Sequence, residues 1–189
     1  LGDRDCSIQR NHQKIIEEAP SGNLNESLRE SIYSDSVKIA KECNYVGAGT
    51  VEFLFDGGNY YFIEMNTRIQ VEHPITEMIF STDLIKNQIL AHSGQNLSDN
   101  FNNLNLKGHS IECRITAEDP DNNFMPSPGK ITSLHFPGGL GVRVDSHIYA
   151  GYTIPPNYDS MIAKIITYAS TREECISKMI SALSECVVE

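Results

Sequence analysis

The tetrad Asp56-Gly57-Gly58-Asn59 separates two apolar and aromatic runs, Val51–Phe55 and Tyr60–Met65. Gly and Asn accept the left-handed backbone that a tight reversal needs, so the stretch predicts a β-hairpin and pins its register. Glu52 and Glu64 both stand six residues from Gly58, which sets them opposite each other or within one register step. Side chains alternate along a strand, so Asn66 shares the face of Glu64. Like charges directly across a sheet pair destabilise it. Two carboxylates and an amide gathered there make sense around a hard cation such as Mg²⁺, which takes one or two carboxylates and completes its shell with water and phosphate oxygens. Taken alone, a solvated face with Glu and Asn in water explains the same residues.

Beyond Asn66 come Arg68, Gln70 and Glu72, spaced by two as if the chain stays extended, and His73-Pro74 biases His73 toward extended conformations. Arg offers a planar fork of donors to a carboxylate-like anion. Gln adds a donor, and Glu72 beside the same anion could accept its proton. Each residue singly is also ordinary surface decoration.

The remaining sequence predicts an α+β chain. Two short strands fall within residues 6–19, with basic side chains on one face, and a turn follows at Pro20-Ser21-Gly22-Asn23. A helix spans about 25–43 with the stripe Leu28, Ile32, Ile39 and Cys43. Another covers 83–92, capped by Ser81 or Thr82 and ended by Gly94. Residues 95–105 read as a polar surface connection. Strands are then expected around Ile111-Glu112-Cys113-Arg114-Ile115, at 130–136, at 142–146 and at 161–168. A last helix opens on the capping box Thr171/Glu174, with the stripe Ile176, Met179, Ile180, Leu183 and Val187. The glycines near Pro137 lack the lysine of a phosphate loop and read as a turn. His109 and His147 read as structural.

At 189 residues and net charge −10, the chain can bury a core but lacks the basic face of a nucleic-acid binder. The five cysteines form no C-x-x-C pair, which disfavours a disulfide framework or zinc site and suits a reducing, cytoplasmic setting. No stretch approaches the ~18 apolar residues of a membrane span, and no signal peptide is evident. A start at Leu1 and an end at Val187-Val188-Glu189 suggest a piece of a longer polypeptide.

The string FIEMNTRIQVEHPITE (Phe62–Glu77) resembles the signature of the biotin carboxylases, ATP-grasp ligases found in acetyl-CoA, propionyl-CoA and pyruvate carboxylases. Agreeing in order and spacing are RDCSIQRNHQK (Arg4–Lys14), GAGTVEFLF (Gly47–Phe55), ECRITAEDP (Glu112–Pro120), PSPGKI (Pro126–Ile131) and HIYAGYTIPPNYDSMIAK (His147–Lys164). The resemblance implies residues 1–107 as the second ATP-grasp subdomain, an antiparallel sheet with flanking helices, incomplete at its N-terminal side. It implies 108–189 as the β-rich biotin carboxylase C-terminal domain, truncated at its end.

The resemblance also implies Glu52, Glu64 and Asn66 as ligands of Mg²⁺ (or Mn²⁺), with Gln9, His12, Glu52 and Glu64 at the ATP site. Lys14, Arg68, Gln70 and the Val71 backbone would bind bicarbonate, Glu72 would be its base, and Arg114 would stabilise the biotin enolate. Biotin would arrive on a carrier protein or domain, a carboxyltransferase would follow, and a homodimer is implied for the full protein, Arg143 lying near that region. The upstream domain and Gly-rich lid are missing, so turnover by this piece alone is not expected. Two rivals stand: another ATP-grasp ligase such as a carbamoyl-phosphate synthetase, and a non-catalytic assembly or dimerisation module.

Overall fold

The computed structural model describes residues 1–102 and 104–189 as an α+β chain. Strands β1 (Asp5–Arg10) and β2 (Gln13–Ala19) precede α1 (Glu26–Glu42), β3 (Thr50–Phe55) and β4 (Tyr60–Asn66). Three helices follow: α2 (His73–Phe80), α3 (Leu84–His92) and the single turn α4 (Ser98–Phe101). The second half is mostly strand. It holds β5 (His109–Thr116), β6 (Glu118–Asp119), β7 (Met125–Pro126), β8 (Gly129–Lys130), β9 (Leu134–His135), β10 (Val142–Ser146), β11 (Thr153–Ile154) and β12 (Met161–Ala169). Helix α5 (Arg172–Glu185) and β13 (Val187–Val188) come last.

Contacts divide the chain into two compact units, Leu1–Asp5 with Ala19–Lys107 and Cys6–Glu18 with Gly108–Glu189. Residues 6–18 side with the second unit because β2 lies beside β5 in a five-stranded sheet of order β1-β2-β5-β12-β10.

In the first unit the β3–β4 hairpin sets Glu52 directly opposite Glu64, with a bulge between Glu52 and Phe53. Asp56 closes the turn by accepting from the backbone N–H of Asn59 at 2.8 Å and Gly58 at 3.2 Å, and Gly57 takes φ 91°. The chain does not stay extended through Glu72. His73 begins α2, with Pro74 in its first turn, where the missing N–H costs nothing. Ile75 and Ile79, one turn apart, are the buried apolar residues of this helix, at 0% and 1% exposure.

Helix α1 is capped by Asn25, whose side chain accepts from the Leu28 N–H at 2.9 Å. None of its residues is fully buried, and Cys43 is exposed at its end rather than part of the stripe. Helix α3 is capped by Asp83, accepting from the Lys86 N–H at 2.8 Å, not by Ser81 or Thr82; Ser81 is the left-handed residue closing α2. The expected connection over 95–105 holds α4, and Asn103 within it lies outside the described residues.

In the second unit, β1 and β2 are joined by Asn11 and His12, both at positive φ (50° and 63°), as a two-residue hairpin turn requires. Strand β12 pairs antiparallel with β5 on one side and β10 on the other. One sheet face packs Ile111, Cys113, Ile165 and Ala169 against Cys175, Met179 and Ala182 of α5. Thr171 caps α5 by accepting from the Glu174 N–H at 3.2 Å. The buried stripe is therefore 175–179–182, rotated from the expected one. Small Cys and Ala side chains let the helix approach the sheet, leaving Ile180 61% exposed. The strand expected at 130–136 is two short ones: β8 pairs with β11 and β9 with β13. Among the described residues no helix is long and apolar enough to cross a membrane.

Candidate functional site

The bases of β3 and β4 and the loop after β4 form one hydrogen-bonded cluster inside the first unit. Its centre is Asn66, whose amide nitrogen donates to Glu52 Oε1 at 3.2 Å and Glu64 Oε1 at 2.9 Å. One donor thus bridges two acceptor-only carboxylates that the register forces together. The Asn66 oxygen accepts from Arg68 Nη2 at 3.0 Å. Gln70 closes the cluster by donating from Nε2 to Glu52 Oε1 at 2.6 Å.

A residue that sequence reasoning did not single out, Arg4, holds this arrangement from behind. Its Nη2 donates to Gln70 Oε1 at 2.6 Å and Thr50 Oγ1 at 3.0 Å, and its Nη1 donates to Thr76 Oγ1 at 3.0 Å. Arg4 therefore joins the start of β3, helix α2 and the Gln70 loop. It also fixes which way the Gln70 amide faces, because the oxygen is engaged and the nitrogen must point to Glu52. Arg4 and Gln70 are 66 residues apart, so no local signal could have exposed the link.

The chain turns at Val71 and Glu72 into α2. His73 Nδ1 lies 2.8 Å from the Gln70 carbonyl oxygen, and the His73 N–H donates to that oxygen at 3.2 Å. Gln70 and Glu72 are 5% and 2% exposed, whereas Glu64 and Arg68 are open to solvent. A cavity of about 730 Å³ adjoins the cluster, lined by Arg4, Thr50, Met65, Arg68, Gln70 and Thr76 among others.

The donor set suits a hard divalent cation. Among the described residues no group of three His, Cys, Asp or Glu side chains is placed to hold a metal. Two facing carboxylates are what the protein offers here, and that is the usual complement for Mg²⁺ bound with phosphate oxygens. With a cation between them, the Asn66 amide would have to turn its oxygen inward, since its nitrogen now occupies that position.

The other expected site residues belong to the second unit. Gln9 is exposed and donates to the Cys6 carbonyl oxygen at 3.0 Å. His12 is exposed in the β1–β2 turn, and Lys14 is half-buried on β2. Arg114, on β5, is gripped by Glu17 of β2, with Nε 2.7 Å and Nη2 2.5 Å from the same carboxylate oxygen. His109 is buried at 6% exposure, its Nε2 2.8 Å from Glu18 Oε2, which also receives Arg172 Nε at 2.7 Å. Burial alone would raise the Glu18 carboxyl, but these two hydrogen bonds outweigh it and hold the group down at about 2.

Comparison with known proteins bears on what this cluster serves. Residues 1–100, over half of the 189-residue chain, match the family described as carbamoyl-phosphate synthase L chain, ATP binding domain. Residues 112–189 match the biotin carboxylase C-terminal domain. The chain belongs to the biotin carboxylase family. The second match separates it from the carbamoyl-phosphate ligases, whose name the first one carries.

Among biotin carboxylase relatives, the Haemophilus influenzae biotin carboxylase is 56% identical over 189 residues, covering 100% of this chain and 42% of the relative. A pyruvate carboxylase subunit from Methanothermobacter thermautotrophicus is also 56% identical, over 188 residues, covering 100% of this chain and 38% of the relative. In three dimensions the chain is similar to the biotin carboxylase domain dimer of Hydrogenobacter thermophilus 2-oxoglutarate carboxylase, solved with MgADP, ADP and bicarbonate. The TM-score is 0.95 at 50% identity, covering 100% of this chain and 42% of that one. The chain thus spans well under half the length of these relatives.

Proposed function

We propose that this chain supplies the metal-facing, bicarbonate-binding and biotin-facing residues of a biotin carboxylase that uses MgATP and bicarbonate to carboxylate biotin on its carrier. The observation that carries the reading is the joining of two chemistries in one cluster: the carboxylates Glu52 and Glu64, suited to a cation, share Asn66 with the anion-suited Arg68, and Glu52 also accepts from Gln70. ATP-dependent activation of bicarbonate needs a cation on the phosphates and a donor fork on the attacking anion side by side. The 2-oxoglutarate carboxylase domain solved with MgADP and bicarbonate supports it.

When bound, Mg²⁺ supplies charge neutralisation on the transferring phosphoryl group. Glu52 and Glu64 would hold it, with the Asn66 side chain as the further ligand. Arg68, Gln70, Lys14 and the Val71 N–H orient bicarbonate, and Glu72 takes its proton as an oxygen attacks the γ-phosphorus, releasing ADP and forming carboxyphosphate. Gln9 and His12 line the nucleotide. Carboxyphosphate breaks down to CO₂ and phosphate, the phosphate takes the ureido N–H proton of biotin, and the ureido nitrogen captures the CO₂ while Arg114 meets the charge on the ureido oxygen.

The parent is proposed as cytoplasmic and dimeric. It would act with a carrier protein and a carboxyltransferase in the first half-reaction of acetyl-CoA carboxylase, toward fatty acid synthesis. The pyruvate carboxylase relative at 56% identity favours a keto acid acceptor as a second reading. Without the family's upstream ATP-binding regions, the 189-residue chain is proposed not to turn over by itself.

The test is bicarbonate-dependent ATP hydrolysis by the full-length protein, with and without free biotin, beside Glu72→Gln. Biotin should stimulate the wild type, and the variant should lose at least ~100-fold, the scale of a general base. Hydrolysis that depends on bicarbonate yet ignores biotin would return the assignment to another ATP-grasp ligase.

A further inference from the structure

The second unit buries more charge than its fold requires. On β5, residues 111, 113 and 115 face α5, so Glu112 and Arg114 lie on the opposite face of the sheet. Ile16 of β2 also packs toward α5, which puts Glu17 on the face of Arg114. Glu17 and Glu112 are both 0% exposed.

Strand pairing sets Lys164 of β12 directly opposite Arg114, two cations in a position that destabilises a sheet. Each has its own counter-charge. Lys164 Nζ lies 3.6 Å from Asp145 and 4.0 Å from Glu112, and Asp145 in turn binds Arg143 at 2.7 Å. Arg114 has Glu17, with Nε at 2.7 Å and Nη2 at 2.5 Å from one oxygen.

Stability does not account for Glu17. Taking a carboxylate wholly out of water costs several kcal/mol, and replacing a buried ion pair by apolar residues is often neutral or stabilising. What the contact does is geometric. It occupies the side edge of the guanidinium, Nε with Nη2, and so fixes its plane and the direction of its Nη1 end. A long side chain with ~2 kcal/mol of rotamer entropy is frozen before any substrate arrives. Preorganised donors of this kind stabilise charge that develops only in the transition state.

We propose that Glu17 is a positioning residue for Arg114, holding the guanidinium where negative charge grows on the ureido oxygen of biotin. This rests on the reading of Arg114 given above. The matched test uses the full-length protein, free biotin and saturating MgATP and bicarbonate, with Glu17→Gln, Arg114→Ala and the double variant.

Glu17→Gln keeps shape and loses charge. Its kcat and kcat/KM for biotin should fall together by roughly tenfold, since an interaction made only in the transition state leaves KM in place. In the Arg114→Ala background, Glu17→Gln should have no further effect on biotin turnover. If Glu17→Gln does not fold, Glu17→Asp carries the test: charge stays, the guanidinium is drawn back by one methylene, and kcat should still fall.

Wild-type kcat for biotin with only a lowered melting temperature would overturn the proposal, as would additive losses in the double variant. Arg114→Ala with wild-type biotin turnover would instead sink the assignment of Arg114 itself.

Discussion

Arg4→Ala offers the sharpest test of how the loop proposed to bind bicarbonate is held. The substitution removes three hydrogen bonds, to Thr50, Thr76 and Gln70, of which the 2.6 Å bond to Gln70 is the shortest. A hydrogen bond from a charged donor contributes about 1.5–3 kcal/mol. Gln70 is only 5% exposed, so water cannot easily replace the lost donor. The bond from its nitrogen to Glu52 is then all that orients the amide, where two bonds from opposite ends held it before. If the lost bond's worth is transmitted to the anion site, kcat/KM for bicarbonate in the full-length protein falls about 10- to 100-fold. Arg4→Lys keeps the charge but not the planar fork that spans Thr50, Thr76 and Gln70 at once, and should fall between. Arg4→Ala added to Gln70→Ala should cost little more than Gln70→Ala alone. A value for Arg4→Ala within about twofold of wild type, with Gln70→Ala strongly impaired, would refute the reasoning.

Two further outcomes follow from charges in the second unit. Glu18 is held at about 2, below its value of 4.5 in an unfolded chain, so its contribution is complete above pH 4.5 and is lost as pH falls toward 2. Discounted for solvent screening, it should amount to about 1 kcal/mol. The urea midpoint gap between wild type and Glu18→Gln should therefore be widest near pH 6 and close as pH drops below 4; a gap independent of pH would contradict it. Burial, with the charges of Glu17 and Glu112 nearby, pushes the Cys113 thiol up to about 12. At pH 8 a thiol reagent should label exposed Cys43 in the native protein and reach Cys113 only after unfolding. Native labelling of Cys113 at the rate of Cys43 would count against the burial described here.

The parts of the fold that could be read from sequence are those where one local rule acts without competition. The Asp-Gly-Gly-Asn turn leaves a single register open, and Glu52 does face Glu64. The Thr171 cap is equally local. Helix α2 escaped because its first turn sends two opposed signals. A residue before proline is biased against the helix, yet proline itself suits a helix start, and here the second effect prevails. Eight residues also hold too little periodicity to settle the matter, because Pro74, Thr76 and Glu77 are buried along with Ile75 and Ile79. The α5 stripe failed differently: bulk hydrophobicity favoured Ile180 and Leu183, but close packing on a sheet favours Cys175 and Ala182.

What sequence could not reveal is which polar residues hold the others in place. Arg4 touches Gln70 across 66 residues, and Glu17 touches Arg114 across 97. Neither Arg4 nor Glu17 carries a pattern of its own; each gains its place only when the strands are laid side by side. The same logic orders the cluster at the hairpin. Backbone register brings two carboxylates into conflict, Asn66 and Gln70 relieve it with donors, and Arg4 fixes the direction of one of those donors. Removing a relieving group should therefore disturb its neighbours more than its own contacts suggest, because each amide serves two acids or an acid and a base at once. On this view Asn66→Ala is more damaging than Asn66→Asp only if a cation is present to neutralise the third carboxylate. Melting both full-length variants with and without Mg²⁺ separates the cases: Asn66→Asp should be the less stable without the metal, and should gain more from it than Asn66→Ala.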